Sequence, residues 1–389
     1  MPSQYIPDEC ELMQQLRSSE HIFELLKVSD GSELQIQKQL RKEFPQDLVR
    51  AAMTLHKLRH KAADKFSRAA EMWIDRIGLQ QATSEPVARH KAKRFEGRVW
   101  DYCSGIGGNT IALAETCDVL AVDQNPAACL RTAWNAEVFG VKETMQPICA
   151  DVETFSSYDG LVHIDPDRRP NSHTRVVRVE ECVPGLDYLK MLTRAFRGGA
   201  IKLSPAGNFG GKFSDVEIEL ISLNGECKEA VIWFGELGEK DRWRATVLPS
   251  GASLFGDPME AYPEFGPLQR YLFDPDGAII RAGLIDLMAE RLQMQRLDES
   301  EEYLTSNSSS DSEFVRSFEV LEELPNNDRE IRRYFRNSDF GRVEIKCRHI
   351  PIDVEAVRRK LPLPGDQPGV LIFVRVQGKA RAVVCRRCD

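Results

Sequence analysis

The chain reads as an α/β protein built on a parallel sheet, with a helical segment before it and α+β modules after it. Three observations carry that reading. From Val99 onward, short apolar strands ("VWDYC", "VLAVD", "GLVHID", "GAIKLS") alternate with helical stretches such as "AACLRTAWNAEVFG", the pattern of βαβ units. Two further strands, "EAVIWFGEL" and "RATVLPS", are linked only by "GEKDRW", too short for a helical crossover, so they are expected to pair antiparallel. Residues 11 to 95 carry helical periodicity instead.

Bulk properties narrow the function classes. At 389 residues the chain is too long for one ordinary domain. No apolar run approaches the ~20 residues of a membrane span, and the polar opening "MPSQYIPDECELMQQ" lacks the apolar core of a signal peptide. Ten cysteines without repeated spacing then read as reduced thiols, and the expected compartment is the cytoplasm. A formal net charge of −8 excludes a chain coated in basic charge, although a local patch can still meet phosphates.

In the helical segment, Phe44, Leu48, Ala51, Ala52 and Leu55 recur at three- and four-residue intervals. "AADKFSRAAEMWIDRIGL" predicts a second helix. "TSEPVARHKAKRF" predicts a short one, capped by Thr83 or Ser84 with Pro86 in its first turn. Beyond the linker "GDPMEAYPEFGPLQRY" come a helix in "AIIRAGLIDLMAERLQM" and a polar loop, "TSNSSSDSE". A helix in "DREIRRYFRN", a strand in "GRVEIKCRH", a helix in "VEAVRRKL" and a hairpin, "GVLIFVRVQGKARAVVCRR", complete the chain. Arginine is frequent from Arg329 onward; contact with an RNA backbone and an ordinary solvated face account for it equally well.

The chemistry starts in "VWDYCSGIGGNTIALAE", residues 99–115. A strand ending at Cys103, followed by Gly105, Gly107 and Gly108, brings main chain close to a ligand at the C-terminal edge of the sheet. Asp123 closes the next strand about twenty residues on, where a carboxylate can accept from both ribose hydroxyls. An adenosine-type cofactor follows. NAD(P) and S-adenosyl-L-methionine share this geometry. Asp101 suits a ligand with an ammonium group and would repel a pyrophosphate. Position 110 is Thr, so the third glycine of the dinucleotide fingerprint is missing. Both points, with the antiparallel pair closing the sheet, favour S-adenosylmethionine.

"DYCSGIGGNTIALAE", "VLAVDQNPAAC", and "NAEVFGV" followed by "ICAD" resemble class I methyltransferases over residues 99–170, above all the cap guanine-N2 (trimethylguanosine synthase) branch. "GLQQATSEPVARHKAKRF" resembles the segment ahead of this domain in a bacterial methyltransferase family that carries a C-terminal THUMP-like domain. "FGRVEIKCRHIPIDVEAVRRKL" resembles that domain itself. The resemblance implies a Rossmann-like sheet of seven strands with the last antiparallel. It divides the chain into a helical region (1–97), a methyltransferase domain (98–255), a small ferredoxin-like α+β module (256–327) and a THUMP-like module (328–389). It also implies roles. Gly105 and Gly107 line the methionine and ribose, Asp101 holds the amino group directly or through water, and Asp123 takes the ribose hydroxyls. Asp151 accepts from the adenine amine, with the Val152 N–H near the ring. Cys103, Asn109 and Gln124 complete the cofactor set. The plainer alternative for Asp151 is to cap a turn.

"HIDPDRRP" is the second informative stretch. In the methyltransferases that act on exocyclic amines, an Asp, Asn or Ser followed by Pro-Pro and an aromatic accepts the two amine hydrogens. That leaves the nitrogen lone pair aimed at the methyl carbon. Asp165 and Pro166 match the first two positions, but Asp167 and Arg168 stand where the second proline and the aromatic would be. The stacking surface of the cap enzymes is absent, so capped RNA is not expected as substrate. Asp167, Arg168, Arg169 and Asn208 are assigned to the substrate; an Asp–Arg ion pair within the loop is the plainer reading. "KLSPAGNFGGKFSD", which carries Lys202 and Asn208, reads as a flexible loop at the substrate side.

No metal is expected. His56 and His60 lie four apart without an acidic partner, and Cys385 and Cys388 form a lone Cys-x-x-Cys. The sequence therefore predicts a soluble S-adenosylmethionine-dependent methyltransferase acting on an exocyclic amine of an RNA base, in tRNA or rRNA. A small-molecule or protein substrate, or a cofactor- or RNA-binding module without turnover, stays open. The oligomeric state is not readable.

Overall fold

A computed structural model describes residues 7–28, 30–154, 158–168 and 178–388. The chain divides into two compact units, one of residues 1–216 with 231–240 and one of residues 217–230 with 241–389.

In the first unit, β1 (Arg98–Tyr102) lies between β2 (Asp118–Asp123) and β4 (Leu161–Ile164), parallel to both. β3 (Met145–Cys149) extends the sheet beyond β2, and β7 (Gly198–Leu203) extends it beyond β4, again in parallel. Val99, Trp100, Asp101 and Tyr102 are all buried, as expected of a strand covered on both faces. The helix Pro126–Phe139 begins on the Asn125 side chain, which accepts from the Ala127 N–H, and ends at Gly140 with φ 75°. β5 (Asp167–Arg168) and β6 (Cys182–Val183) form a separate two-stranded ladder.

The N-terminal segment is joined to this sheet through one core. Leu48, Ala52, Leu55 and Trp73 are buried together with Ile106, Ile111 and Trp134. The periodic run forms the helix Gln46–Ala62, and Ser84 stands at the N-cap position of Glu85–Ala92, with Pro86 in the first turn and no side-chain cap bond. The helix expected over 62–79 does not form; turns fill most of it, and only Arg76–Gln81 is helical. Its polar groups are satisfied from outside. The Lys65 ammonium donates to the carbonyls of Leu79 (2.8 Å) and Ala82 (2.9 Å). The Ser67 N–H donates to the Glu85 carboxylate at 2.7 Å. The Trp73 main chain is bracketed by the amide of Asn135, which accepts its N–H at 2.7 Å and donates to its C=O at 2.9 Å. Tertiary partners override local propensity here.

Beyond β7 lies β9 (Glu226–Gly235), reached from β8 (Val216–Leu223) through a two-residue turn in which Asn224 and Gly225 both have positive φ. β9 is thus an antiparallel member, as expected, but it does not end the sheet: β8 and two further strands continue beyond it, giving nine strands among the described residues where seven were expected. Its expected partner is wrong. β10 (Arg242–Leu248) pairs parallel with β8 and antiparallel with β11 (Ala252–Gly256), because the tight Asn224–Gly225 turn commits β9 to β8 instead.

The rest of the second unit carries a single mixed sheet, which runs through both stretches expected as α+β modules. Its strands are β12 (Tyr271–Pro275), β13 (Gln295–Arg296), β14 (Leu304–Ser306), β15 (Val315–Pro325), β16 (Phe340–Cys347), β17 (Gln367–Val376) and β18 (Lys379–Arg387). They run in the order β13-β14-β12-β15-β18-β17-β16. Only β16 and β17, linked by the helix Val354–Lys360, are parallel neighbours among the longer strands. The helix expected over "AIIRAGLIDLMAERLQM" breaks into Gly277–Ala282 and Ile285–Leu292 at Gly283, whose φ is +71°. Among the described residues no helix is long and apolar enough to cross a membrane.

Asn135 is fully buried and also donates to the Ile106 carbonyl at 2.8 Å, so it ties the N-terminal segment to the glycine turn. Asn135→Ala leaves three buried main-chain groups unpaired. Urea unfolding should show a loss of about 3 kcal/mol or more, against a few tenths for a surface control.

Candidate active site

β1 and β2 end at one edge of the sheet, and the main chain turns there through Cys103 (φ 59°), Gly105 (φ 59°) and Gly107 (φ 87°). Cys103 holds a left-handed conformation that favours glycine, a local strain of the kind that collects at functional sites. The Asp123 carboxylate latches the turn. One oxygen accepts the Gly105 N–H at 2.9 Å and the other accepts the Asn125 N–H at 2.8 Å. The glycines serve different ends. A Cβ on Gly107 would press on Thr132 at 3.2 Å and one on Gly108 on the Thr83 carbonyl at 3.1 Å, whereas one on Gly105 would meet nothing within 4 Å. Close packing requires the first two; open space lies at the third.

Asp101 is 1% exposed, and both of its oxygens have partners. Thr110 Oγ1 donates to one, and His163 Nδ1 lies 2.7 Å from the other. His163 Nε2 in turn faces Lys91 Nζ at 3.5 Å, and both side chains are buried. A proton on Nδ1 satisfies this chain, with the Lys91 ammonium directed at Nε2. The structure therefore commits Asp101 to internal bonds; any contact with a ligand amine would use its remaining lone pairs. Sequence reasoning missed His163 and Lys91. Their one signal is a histidine inside the otherwise apolar strand "LVHI".

β4 delivers Asp165 and the buried Pro166 to the same edge. Asp165 Oδ2 is 2.6 Å from Lys202 Nζ, which also donates to the Gln81 carbonyl at 2.9 Å. Lys202 lies on β7 rather than in the loop after it, with its side chain 12% exposed and that of Asp165 24%. The Gln81 amide then donates to Asp167 Oδ1 at 2.8 Å. The N-terminal segment thus supplies part of the wall around the Asp-Pro turn, which no motif announced. Arg169 and the side chain of Arg168 lie outside the described residues.

The other expected site residues are spread around this edge. Asp151 Oδ1 accepts the Glu153 N–H at 2.9 Å, the turn-capping role weighed above. Val152 is buried, and its carbonyl accepts from the Tyr188 hydroxyl at 2.6 Å. Gln124 is exposed beside Asp123. Asn208 Oδ1 accepts the Val179 N–H at 3.1 Å, so it ties down its own loop. In the other unit, Arg333, Arg358, Arg386 and Arg387 each pair with a carboxylate, those of Glu330, Glu355, Asp339 and Glu344. These pairs are the mark of a solvated face.

The edge is acidic. Burial, then the carboxylates of Asp123, Asp165, Asp167 and Asp101, hold the Cys103 thiol well above its ordinary 9.0. Burial likewise raises Asp123 above its ordinary 3.8, opposed by the N–H groups of Asn125 and Gly105. Ser104 Oγ and Asn109 Oδ1 are buried beside the turn without a hydrogen-bond partner among the described residues. Converging carboxylates, two orphaned polar atoms and open space over Gly105 fit a polar ligand that carries positive charge, as S-adenosylmethionine does.

Comparison with known proteins agrees. A family described as RNA cap guanine-N2 methyltransferase matches residues 96–193, and one described as THUMP domain-like matches residues 315–387. Two uncharacterized S-adenosylmethionine-dependent methyltransferases, from two strains of Mycobacterium tuberculosis, are each 34% identical over 347 residues. Each alignment covers 85% of this chain and 94% of the relative. A crystal structure of a candidate methyltransferase from Porphyromonas gingivalis superposes with a TM-score of 0.78 at 18% identity, over 98% of this chain and 99% of that one, which shows a shared fold. On the length and identity of the mycobacterial alignments, the chain belongs to the S-adenosylmethionine-dependent methyltransferases.

Proposed function

We propose that this methyltransferase acts on an exocyclic amine of an RNA base, in tRNA or rRNA. The observation that carries the reading is the Asp165–Pro166 turn at the C-terminal end of β4, with Asp165 braced by Lys202 at 2.6 Å. The RNA half draws support from the two family matches, one to an RNA methyltransferase domain and one to a THUMP-like domain. In this reading residues 98–255 carry the chemistry, the THUMP-like segment 328–389 contacts RNA, and the cytoplasm is the working compartment.

S-adenosylmethionine supplies an electrophilic methyl carbon on a sulfonium, already a good leaving group. The chain's residues bind and orient. Asp123 accepts from the ribose hydroxyls, Asp151 and the Val152 N–H meet the adenine, and Gly105, Gly107, Cys103 and Asn109 line the remainder. Lys202 occupies Asp165 Oδ2, so Oδ1 and the Pro166 carbonyl accept the two amine hydrogens. The nitrogen lone pair is then fixed toward the methyl, and positioning supplies most of the rate. Asp167, Arg168, Arg169 and Asn208 remain proposed contacts to the RNA.

The decisive experiment incubates the protein with labelled S-adenosylmethionine and total RNA from a strain lacking the gene, followed by nucleoside analysis. One new N-methylated nucleoside is expected, absent with Asp165→Ala. Label that resists ribonuclease and stays with protein or small molecules overturns the RNA assignment.

Lys202→Met should leave cofactor affinity within about twofold yet cut turnover about 100-fold, since Asp165 loses its brace. Single-turnover rates alongside cofactor titration separate the two effects.

Asp123 makes apo stability and cofactor affinity respond to pH in opposite directions. Its folded pKa is raised, so its contribution to stability is complete below 3.8 and disappears as pH rises through the raised value. Its bonds from the ribose hydroxyls instead weaken as pH falls through that value, because the neutral carboxyl is a poorer acceptor than the carboxylate. Calorimetric titrations and thermal melts across this window should therefore diverge in wild type, and Asp123→Asn should flatten both curves.

A further inference from the structure

The second unit contains a cluster that the methyltransferase reading does not use. One carboxylate oxygen each of Glu301 and Glu302 and a ring nitrogen of His349 lie within 4.8 Å of one another. Three stretches of chain build this arrangement. The segment between β13 and β14 crosses the β17–β18 hairpin: the Leu297 carbonyl accepts the Gln377 N–H at 3.1 Å, and Asp298 Oδ2 accepts the Gly378 N–H at 2.6 Å. β16 stops pairing with β17 at Cys347 and Phe373, and further along β17 the Arg375 N–H donates to Glu301 Oε1 at 2.7 Å. His349 lies two residues past the end of β16, and its Nε2 lies 2.6 Å from Glu302 Oε2.

A second observation points to a ligand. Glu301 is 0% exposed, and its other oxygen, Oε2, is buried with no hydrogen-bond partner among the described residues. Leaving a buried carboxylate oxygen unpaired costs a few kcal/mol, and a native fold rarely tolerates that without an ion, a water or a proton. Two carboxylates and an imidazole form a donor set that suits a borderline divalent ion better than magnesium or calcium, which take oxygen throughout. Nearby guanidiniums have carboxylates of their own. Arg348 is bound to Asp274 and Arg296 to Asp286.

We infer that Glu301, Glu302 and His349 bind one zinc-class divalent ion, which staples the crossing segment 297–303 to the chain just after β16. Ligands around one tetrahedral zinc ion lie about 3.3 Å apart. To hold the ion, the Glu302–His349 contact, now 2.6 Å, opens while the longest separation, within 4.8 Å, shortens; the His349 side chain, 45% exposed, has room for this and gives the ion its path of entry. The remaining coordination position falls to water. The ion would act on stability and not on methyl transfer, because binding to the folded state alone raises the melting temperature.

The test is calorimetric titration of the full chain with Zn²⁺, with thermal melts in parallel and Mg²⁺ as control. His56 and His60, whose Nε2 atoms lie 3.2 Å apart on an exposed helix face, are a ready adventitious pair. A His56→Ala/His60→Ala variant therefore serves as the background. In it, one equivalent of Zn²⁺ should bind and raise the melting temperature, with no response to Mg²⁺. Adding His349→Ala or Glu302→Gln should weaken binding at least about tenfold and abolish the shift. His349 is half exposed, so its variant should keep the wild-type circular dichroism. No binding in the background variant would mean that something other than a metal ion satisfies Glu301, and binding undiminished by His349→Ala would place the ion elsewhere; either result overturns the site.

Discussion

A carboxylate at 1% exposure inside a parallel sheet must find donors, and much of the first unit is arranged around that demand. Asp101 on β1 meets it through Thr110, in the helix after the glycine turn, and through His163 on β4. His163 passes the demand to Lys91 in the helix before the sheet. One buried charge therefore ties two strands, the helix that follows the turn, and the N-terminal segment into a single arrangement. The turn cannot relax without disturbing all four, which helps to explain how Cys103 is held at φ 59°.

That rigidity has an electrostatic consequence. Asp101, Asp123, Asp165 and Asp167 stand around Cys103, and uncompensated carboxylates this close repel one another. The chain relieves part of this itself, through Lys202 on Asp165 and the Gln81 amide on Asp167. A cofactor bearing an ammonium and a sulfonium relieves more. A pyrophosphate would aggravate it, which is the physical reason the edge discriminates between nucleotide-like cofactors. Both internal partners depend on the N-terminal segment, since Lys202 also donates to the Gln81 carbonyl. The helical residues ahead of the sheet are thus part of the wall of the candidate site.

Legibility in the sequence followed the range of the interactions. Strand alternation, the spacing of Gly105 and Gly107 and the acid closing β2 are local patterns, and the parallel sheet and its turn were readable from them. So was the short helix Glu85–Ala92 with Pro86 in its first turn. The helix expected over 62–79 was not, because the Asn135 amide, Glu85 and the carbonyls that meet Lys65 compete for that segment's polar groups from far along the chain. The pairing of β10 with β8 depended on which strand the Asn224–Gly225 turn would claim first. The expectation of no metal weighed only adjacent histidines and cysteines, whereas the proposed ligand set joins residues 47 apart.

The sequence by itself determined the class of the protein: a strand–turn–helix with acids at set intervals can be read wherever it occurs, since its physics lies within some twenty residues. Tertiary structure alone decided the partners. Whether Asp101 faces solvent or His163, whether Lys202 hangs in a loop or braces Asp165, and whether Glu301 meets Arg375 depend on chain segments meeting from many residues apart. Hydrogen bonds and ion pairs are sensitive to fractions of an ångström, and only the packed core sets distances that finely.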